Sequence, residues 1–217
     1  MSLYLDSAEL PKIERVLADC PFVAGVTTNP LLLKKSGVGE LELYRALRAV
    51  TNKPVFAQVA IGSVEDMRRH AYELFKAVGE AVVLKVPFCP DGLKLVRDLS
   101  QSFRTCVTAV ANPVQGFAAA TLGARWVAVY VGRVEEEHGA GAGLACVRSL
   151  SALLLARDER TRILAASVRR VEWIPELLGL PNVDVTLAPE VLESSLADAV
   201  TTHALAEFRL LARKERA

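Results

Sequence analysis

Lys85 interrupts the apolar run Ala81-Val82-Val83-Leu84-Lys85-Val86-Pro87. Most basic residues of this chain are arginines, and its few lysines mostly lie in polar stretches. Burying a charged ammonium is costly unless it is paired. Desolvation favours the neutral amine, which is a nucleophile toward carbonyl carbons. The competing structural role is a lysine paired with a carboxylate, or one that snorkels to a rim. Position alone leaves both open.

Other polar residues close neighbouring apolar runs. Asp6 ends Leu3–Leu5, and Thr27, Thr28 and Asn29 follow Val23–Val26. Gln58 lies in Val55–Val59, Thr108 in Thr105–Val110, and Tyr130 in Trp126–Val131, with Arg133 just beyond. Ser167 and Arg169 follow Ile163–Ala166. Each alone reads first as a cap, a turn residue or a solvated charge, and it is their shared location that is informative. Two guanidiniums and a hydroxyl, from Arg133, Arg169 and Ser167, suit a phosphate dianion. The acidic run Glu135-Glu136-Glu137 reads as a solvated loop face turned away from that anion.

These runs, with Ala81–Val86 and Val183–Leu187, number eight. They are strand-length and lack polar alternation, as in parallel strands buried on both faces. Helical patterns lie between them. Ser63 is an N-cap before Val64–Val78, with Glu65 and Asp66 early and Met67, Ala71, Leu74, Phe75 and Val78 on one face. Asn112-Pro113 opens another helix and Gly123 ends it. Strand then helix, eight times, predicts an α/β fold: a single (β/α)8 TIM barrel over residues 1–217, with an extra C-terminal helix at about 190–213. Leu192, Leu196, Ala199, Val200, Leu205, Phe208 and Leu211 give that helix an apolar side, to cover the barrel or meet another subunit. A doubly wound sheet would carry a glycine-rich loop after its first strand, where this chain has Asp6-Ser7-Ala8. In a barrel, ligands bind at the C-terminal ends of the strands, where the polar residues above cluster. The glycine-bearing loops Ser36–Glu40 and Glu135–Gly143 do not read as linkers.

The net charge of +1 argues against nucleic acid or an anionic membrane as partner. An acidic substrate must therefore be held by local cations. The N-terminus has no signal-peptide pattern and no run is long enough to span a bilayer, so a cytoplasmic protein is expected. Cys20, Cys89, Cys106 and Cys146 are widely spaced and read as reduced, mostly buried thiols. His70, His138 and His203 are scattered, so neither a metal nor another cofactor is expected.

At this point the chain resembles the transaldolase family, most closely its short fructose-6-phosphate aldolase type. The matching motifs are Leu5-Asp6-Ser7, Ala24-Gly25-Val26-Thr27-Thr28-Asn29-Pro30, Phe56-Ala57-Gln58-Val59, Val83-Leu84-Lys85-Val86-Pro87, Thr108-Ala109-Val110, Tyr130-Val131-Gly132-Arg133-Val134 and Leu164-Ala165-Ala166-Ser167. They come in family order across nearly the whole chain.

The resemblance implies that Lys85 forms a Schiff base with a ketose or dihydroxyacetone. It implies that Asp6 and Asn29 hold sugar hydroxyls and assist proton transfer, beside Thr27. Arg133, Ser167 and Arg169 would bind phosphate, and Thr108 would position a water. True transaldolases typically carry glutamate at the position of Gln58 and phenylalanine at that of Tyr130; the aldolase type has glutamine and tyrosine, as here. A tyrosine hydroxyl can relay a proton to an enamine intermediate, whereas a phenyl ring cannot. The expectation is therefore a metal-independent aldolase that reversibly cleaves fructose 6-phosphate, or a related ketose phosphate, to dihydroxyacetone and glyceraldehyde 3-phosphate. The alternatives are a pentose phosphate pathway transaldolase and a non-catalytic sugar-phosphate-binding protein. Cys106 departs from the asparagine of many transaldolases, and Leu187-Ala188-Pro189-Glu190 departs from the common loop. The resemblance also implies a homo-oligomer, a pentamer or decamer, with the C-terminal helix on a neighbour.

Overall fold

Parallel pairing joins the eight apolar runs in sequence order, and the last pairs with the first to close a barrel. The structure is a computed structural model that describes residues 1–157 and 159–214. The strands are β1 (Leu3–Asp6), β2 (Val23–Thr27), β3 (Val55–Gln58), β4 (Val82–Pro87), β5 (Thr105–Val110), β6 (Trp126–Tyr130), β7 (Arg162–Ala166) and β8 (Val183–Leu187). Helices alternate with them: α1 (Leu10–Asp19), α2 (Pro30–Ser36), α3 (Glu40–Val50), α4 (Val64–Val78), α5 (Pro90–Leu99), α6 (Pro113–Thr121), α7 (Val131–His138), α8 (Ala142–Ala156), α9 (Ile174–Gly179), α10 (Pro189–Leu196) and α11 (Ala199–Lys214). The expected (β/α)8 TIM barrel is what forms.

Local chemistry sets the helix starts. The Ser63 hydroxyl accepts the Asp66 amide, and the Asn112 side chain accepts the Gln115 amide, each capping the helix that follows. Proline follows the cap of α2, α5, α6 and α10, where its missing N–H costs nothing.

Alternate strand residues point to opposite sides, which sorts the apolar side chains into two cores. Leu5, Val55, Ala57, Leu84, Val127, Ile163 and Val185 join the core beneath the helices. Tyr4, Phe56, Val83, Cys106, Trp126, Ala128 and Leu164 form a separate cluster that fills the barrel. Tyr4, Phe56 and Trp126 meet edge to face, with ring centroids 5.1 and 5.2 Å apart. Below them Asp184 is buried but paired. Arg162 reaches it through Nε and Nη2, each at 2.6 Å, and Trp126 Nε1 donates at 3.0 Å. This plugged floor leaves the opposite end of the barrel as the place for a ligand.

Two expectations change. The C-terminal segment is not one helix over 190–213. Ala197 is extended (φ −82°, ψ 127°), and Asp198 restarts the chain by accepting the Val200 amide at 2.7 Å. The first piece, α10, buries Leu192 against the barrel; Val200, Leu205, Phe208 and Leu211 on α11 are exposed, so α11 does not cover it. Secondly, Glu135-Glu136-Glu137 belongs to α7 rather than a loop. The Glu135 carboxylate accepts the Gly141 and Gly143 amides and so caps the start of α8.

Candidate active site

Five of the six strands that fill the barrel carry a polar residue two positions further on, on the same inward side, and β8 follows the same pattern; in β7 Leu164 is followed by Ala166. Asp6 follows Tyr4, Gln58 follows Phe56, Lys85 follows Val83, Thr108 follows Cys106, Tyr130 follows Ala128, and Thr186 follows Asp184. Strand periodicity thus stacks a polar layer on the apolar plug, at the C-terminal ends where barrel sites form. Asp6, Asn29, Lys85, Tyr130, Arg133, Ser167, Arg169 and Thr186 line one cavity of about 200 Å³. Thr27, Gln58 and Thr108 stand outside its lining.

Lys85 is 4% exposed, and its Nζ donates to the Thr28 carbonyl at 2.7 Å. That carbonyl is itself held in place. Thr28 Oγ1 donates to the Phe56 carbonyl at 3.0 Å, and the buried Tyr44 hydroxyl meets Thr28 Oγ1 at 2.7 Å. The Thr28 proton is used on Phe56, so Tyr44 is the donor of that pair.

Asp6 lies at the other side of the pocket. Thr27 Oγ1 donates to Asp6 Oδ1 at 2.7 Å and also meets Thr186 Oγ1 at 2.7 Å. With its one proton given to Asp6, Thr27 accepts from Thr186. Thr27, fully buried, therefore orients Asp6 rather than opening into the cavity. Burial raises the Asp6 carboxyl above its ordinary value, while the Lys85 ammonium and the Thr27 hydroxyl pull it partly back. Asn29 lines the cavity, but its Oδ1 is occupied by the Leu31 and Leu32 amides, both at 3.0 Å, as the cap of α2. Its amide NH2 remains to donate.

Gln58 pairs in register with Lys85 on the neighbouring strand. Its Oε1 is buried and has no hydrogen-bond partner among the described residues. On Lys85's other flank Cys106 is fully buried in the plug, where desolvation pushes its thiol up to about 12. The thiol is thus a neutral, compact floor for Lys85.

Late strands supply the cations. Arg133 stacks on the Tyr130 ring, with its guanidinium carbon 4.6 Å from the centroid. Ser167 sits at φ 58°, in the left-handed region unusual for a non-glycine residue. Gly132 explains how α7 approaches this corner. Its amide donates to the Ser167 carbonyl at 3.1 Å. A β-carbon at Gly132 would lie 2.4 Å from that carbonyl oxygen and 3.2 Å from Arg169 Nε. Close approach, not φ, demands glycine there. Arg169 continues to the Glu136 carboxylate, so the acidic run does touch the cationic corner.

A whole-chain comparison decides the family. The model of the family described as transaldolase/fructose-6-phosphate aldolase matches residues 3–216. The chain belongs to this transaldolase/fructose-6-phosphate aldolase family. A protein named "Probable transaldolase" from Petrotoga mobilis is 32% identical over 210 residues, covering 96% of this chain and 93% of that protein. One of the same name from Alkaliphilus metalliredigens is 32% identical over 210 residues, 96% of each chain. Another from Paracoccus denitrificans is 31% identical over 209 residues, 96% of this chain and 94% of that protein. Transaldolase family members are enzymes, so the chain is an enzyme rather than a bare binding scaffold.

Three residues around the candidate site are not singled out by the sequence. Thr186 offers a signal, its place two residues after Asp184 on an inward-facing strand. Tyr44 offers none: it lies on α3 and reaches Thr28 only through the fold. Glu136 is one of three consecutive acids, and only the turn of α7 selects it. Among the described residues no group of three or more His, Cys, Asp or Glu could hold a metal ion, and no helix is long and apolar enough to cross a membrane.

Proposed function

We propose that this chain is a Schiff-base aldolase that reversibly cleaves fructose 6-phosphate, or a related ketose phosphate, to dihydroxyacetone and glyceraldehyde 3-phosphate. The observation that carries the reading is Lys85, a buried amine at the floor of a polar cavity. Its unprotonated Nζ attacks the ketose C2 carbonyl, the carbinolamine hydroxyl takes a proton from solvent and leaves as water, and a protonated imine forms. That cation draws the electrons of the C3–C4 bond as Asp6 takes the C4 hydroxyl proton. The aldehyde half departs, leaving an enamine on Lys85. Arg133, Ser167 and Arg169 hold the phosphate, and the Asn29 amide holds a sugar hydroxyl.

The fate of the enamine separates two readings. In the aldolase, the Tyr130 hydroxyl, bonded to Thr108 at 3.1 Å, relays a proton to the enamine carbon. Water held by Gln58 and Thr108 then hydrolyses the imine and releases dihydroxyacetone. In a transaldolase the enamine waits for a second sugar phosphate, such as erythrose 4-phosphate in the pentose phosphate pathway. The names of the curated relatives favour this second reading; Tyr130 favours the first.

Borohydride added with dihydroxyacetone should leave a reduced adduct on Lys85, detected by peptide mass spectrometry. Its absence would remove the mechanism. Fructose 6-phosphate supplied alone should yield free dihydroxyacetone; strict dependence on an acceptor would instead establish transfer. The same reading places the enzyme in the cytoplasm and in a pentamer or decamer whose exposed α11 apolar side packs on a neighbour. Light scattering that gives a monomer at micromolar concentration would exclude the assembly.

A further inference from the structure

We propose that Glu136 is a built-in competitor for phosphate at Arg169 and weakens the enzyme's grip on phosphorylated sugars. The inference rests on the phosphate site proposed above. Arg169 lines the cavity, but its guanidinium is also tied to α7. Its Nε lies over Gly132, 3.2 Å from where a β-carbon would stand, and its Nη1 donates to Glu136, one helical turn further along α7. The guanidinium is therefore laid along α7 from Gly132 to Glu136. Arg133 lies three residues before Glu136, on an adjoining part of the same helical surface. It makes no ion pair among the described residues and stacks on Tyr130 instead.

The neighbouring acids have other duties. Glu135 caps α8, and Glu137 lines an adjoining hollow that also includes Tyr130, Arg133 and His138, but it forms no ion pair among the described residues. Only Glu136 of the three meets a cation of the phosphate corner. That pair is about half exposed on both sides, 51% and 58%, so it is weak enough for a phosphate dianion to displace. Each binding event then exchanges a carboxylate contact for a phosphate contact. The exchange lowers phosphate affinity and hastens release of the phosphorylated product.

Calorimetric titration of inorganic phosphate into the full chain tests this without requiring turnover. Glu136→Gln should bind phosphate roughly two- to fivefold more tightly than wild type. Adding Arg169→Gln to Glu136→Gln should cancel the gain, because the competitor acts through that arginine. Structural damage would weaken binding, so a gain is not a generic result. Glu137→Gln controls for net charge and should give a smaller change. Unchanged or weaker binding in Glu136→Gln, an equal gain in Glu137→Gln, or no phosphate binding by either protein would overturn the inference. Borohydride trapping on the wild type reports separately on the Schiff-base reading.

Discussion

Thr108 Oγ1 donates to the Tyr130 hydroxyl across 3.1 Å, joining the inward ends of β5 and β6. The pairing of these strands shifts register between Val107 and Val110, and Ala109 within the shift has φ 63°. A bulge of this kind bends a strand and re-aims its side chains. The strained residue next to Thr108 thus belongs to the device that brings two hydroxyls together beside Lys85.

Tyr130→Phe removes the outer hydroxyl while keeping the ring on which Arg133 stacks. Release of free dihydroxyacetone from fructose 6-phosphate should fall by roughly 10²-fold, at the lower end of what proton transfer contributes. Transfer to an added acceptor aldehyde should fall much less. Product partitioning with and without acceptor measures both. Equal losses in the two assays would mean that Tyr130 does not act on the enamine.

Lys85→Met should abolish the borohydride adduct and lower turnover by at least roughly 10⁴-fold, as loss of a nucleophile does. Methionine has a similar length and needs no hydrogen bond, so the melting temperature should not drop sharply. Substantial turnover by this variant would reject Lys85 as the nucleophile.

In the proposed mechanism, cleavage needs Asp6 as carboxylate. Its folded-state value is raised by burial, so the acid limb of the rate profile should lie above the ordinary carboxylate range. Activity should fall as pH drops through that raised value. For stability the sign is opposite. The raised value favours the folded state at low pH, and this contribution is lost as pH rises through it. Asp6→Asn should therefore lose the acid limb of its residual activity. A wild-type limb at ordinary carboxylate values would contradict this account.

Gly132→Ala forces a methyl group against the Ser167 carbonyl and Arg169. Overpacking against backbone should destabilise the fold by about 1–3 kcal/mol. It should also raise KM for the phosphorylated ketose more than it impairs trapping of unphosphorylated dihydroxyacetone on Lys85. Thermal unfolding and paired kinetics check the two effects. A uniform loss across both substrates would leave Gly132 as a packing residue only.

Thiol labelling of the native protein should reach Cys20 and Cys89, which are partly exposed, before Cys106 and Cys146, which are buried. Cys106 combines full burial with a thiol raised to about 12. It should label only on unfolding, as quantitative mass spectrometry can show. Early labelling of Cys106 would mean that the barrel interior opens readily.

The eight strands follow from the chain itself. Runs such as Val55–Gln58 and Trp126–Tyr130 are short, apolar and bounded, which fits parallel strands covered on both faces. The caps Ser63 and Asn112 are equally local, because a cap bonds an amide only three residues away. Strand parity then orders much of the site, since Asp6, Gln58, Lys85, Thr108 and Tyr130 each lie two residues beyond a plug residue. The chain's own sequence also carried the transaldolase-type motifs. Contacts between distant elements needed the closed barrel. The Tyr44–Thr28 bond spans 16 residues, Thr27–Thr186 spans 159, and Arg169 reaches back 33 residues to Glu136. No local spacing encodes such pairs, because they depend on where loops and helix rotations deliver each side chain. The break at Ala197 was hidden for a related reason: the apolar spacing runs on through it, and only the barrel edge shows that α10 is packed while α11 stands off.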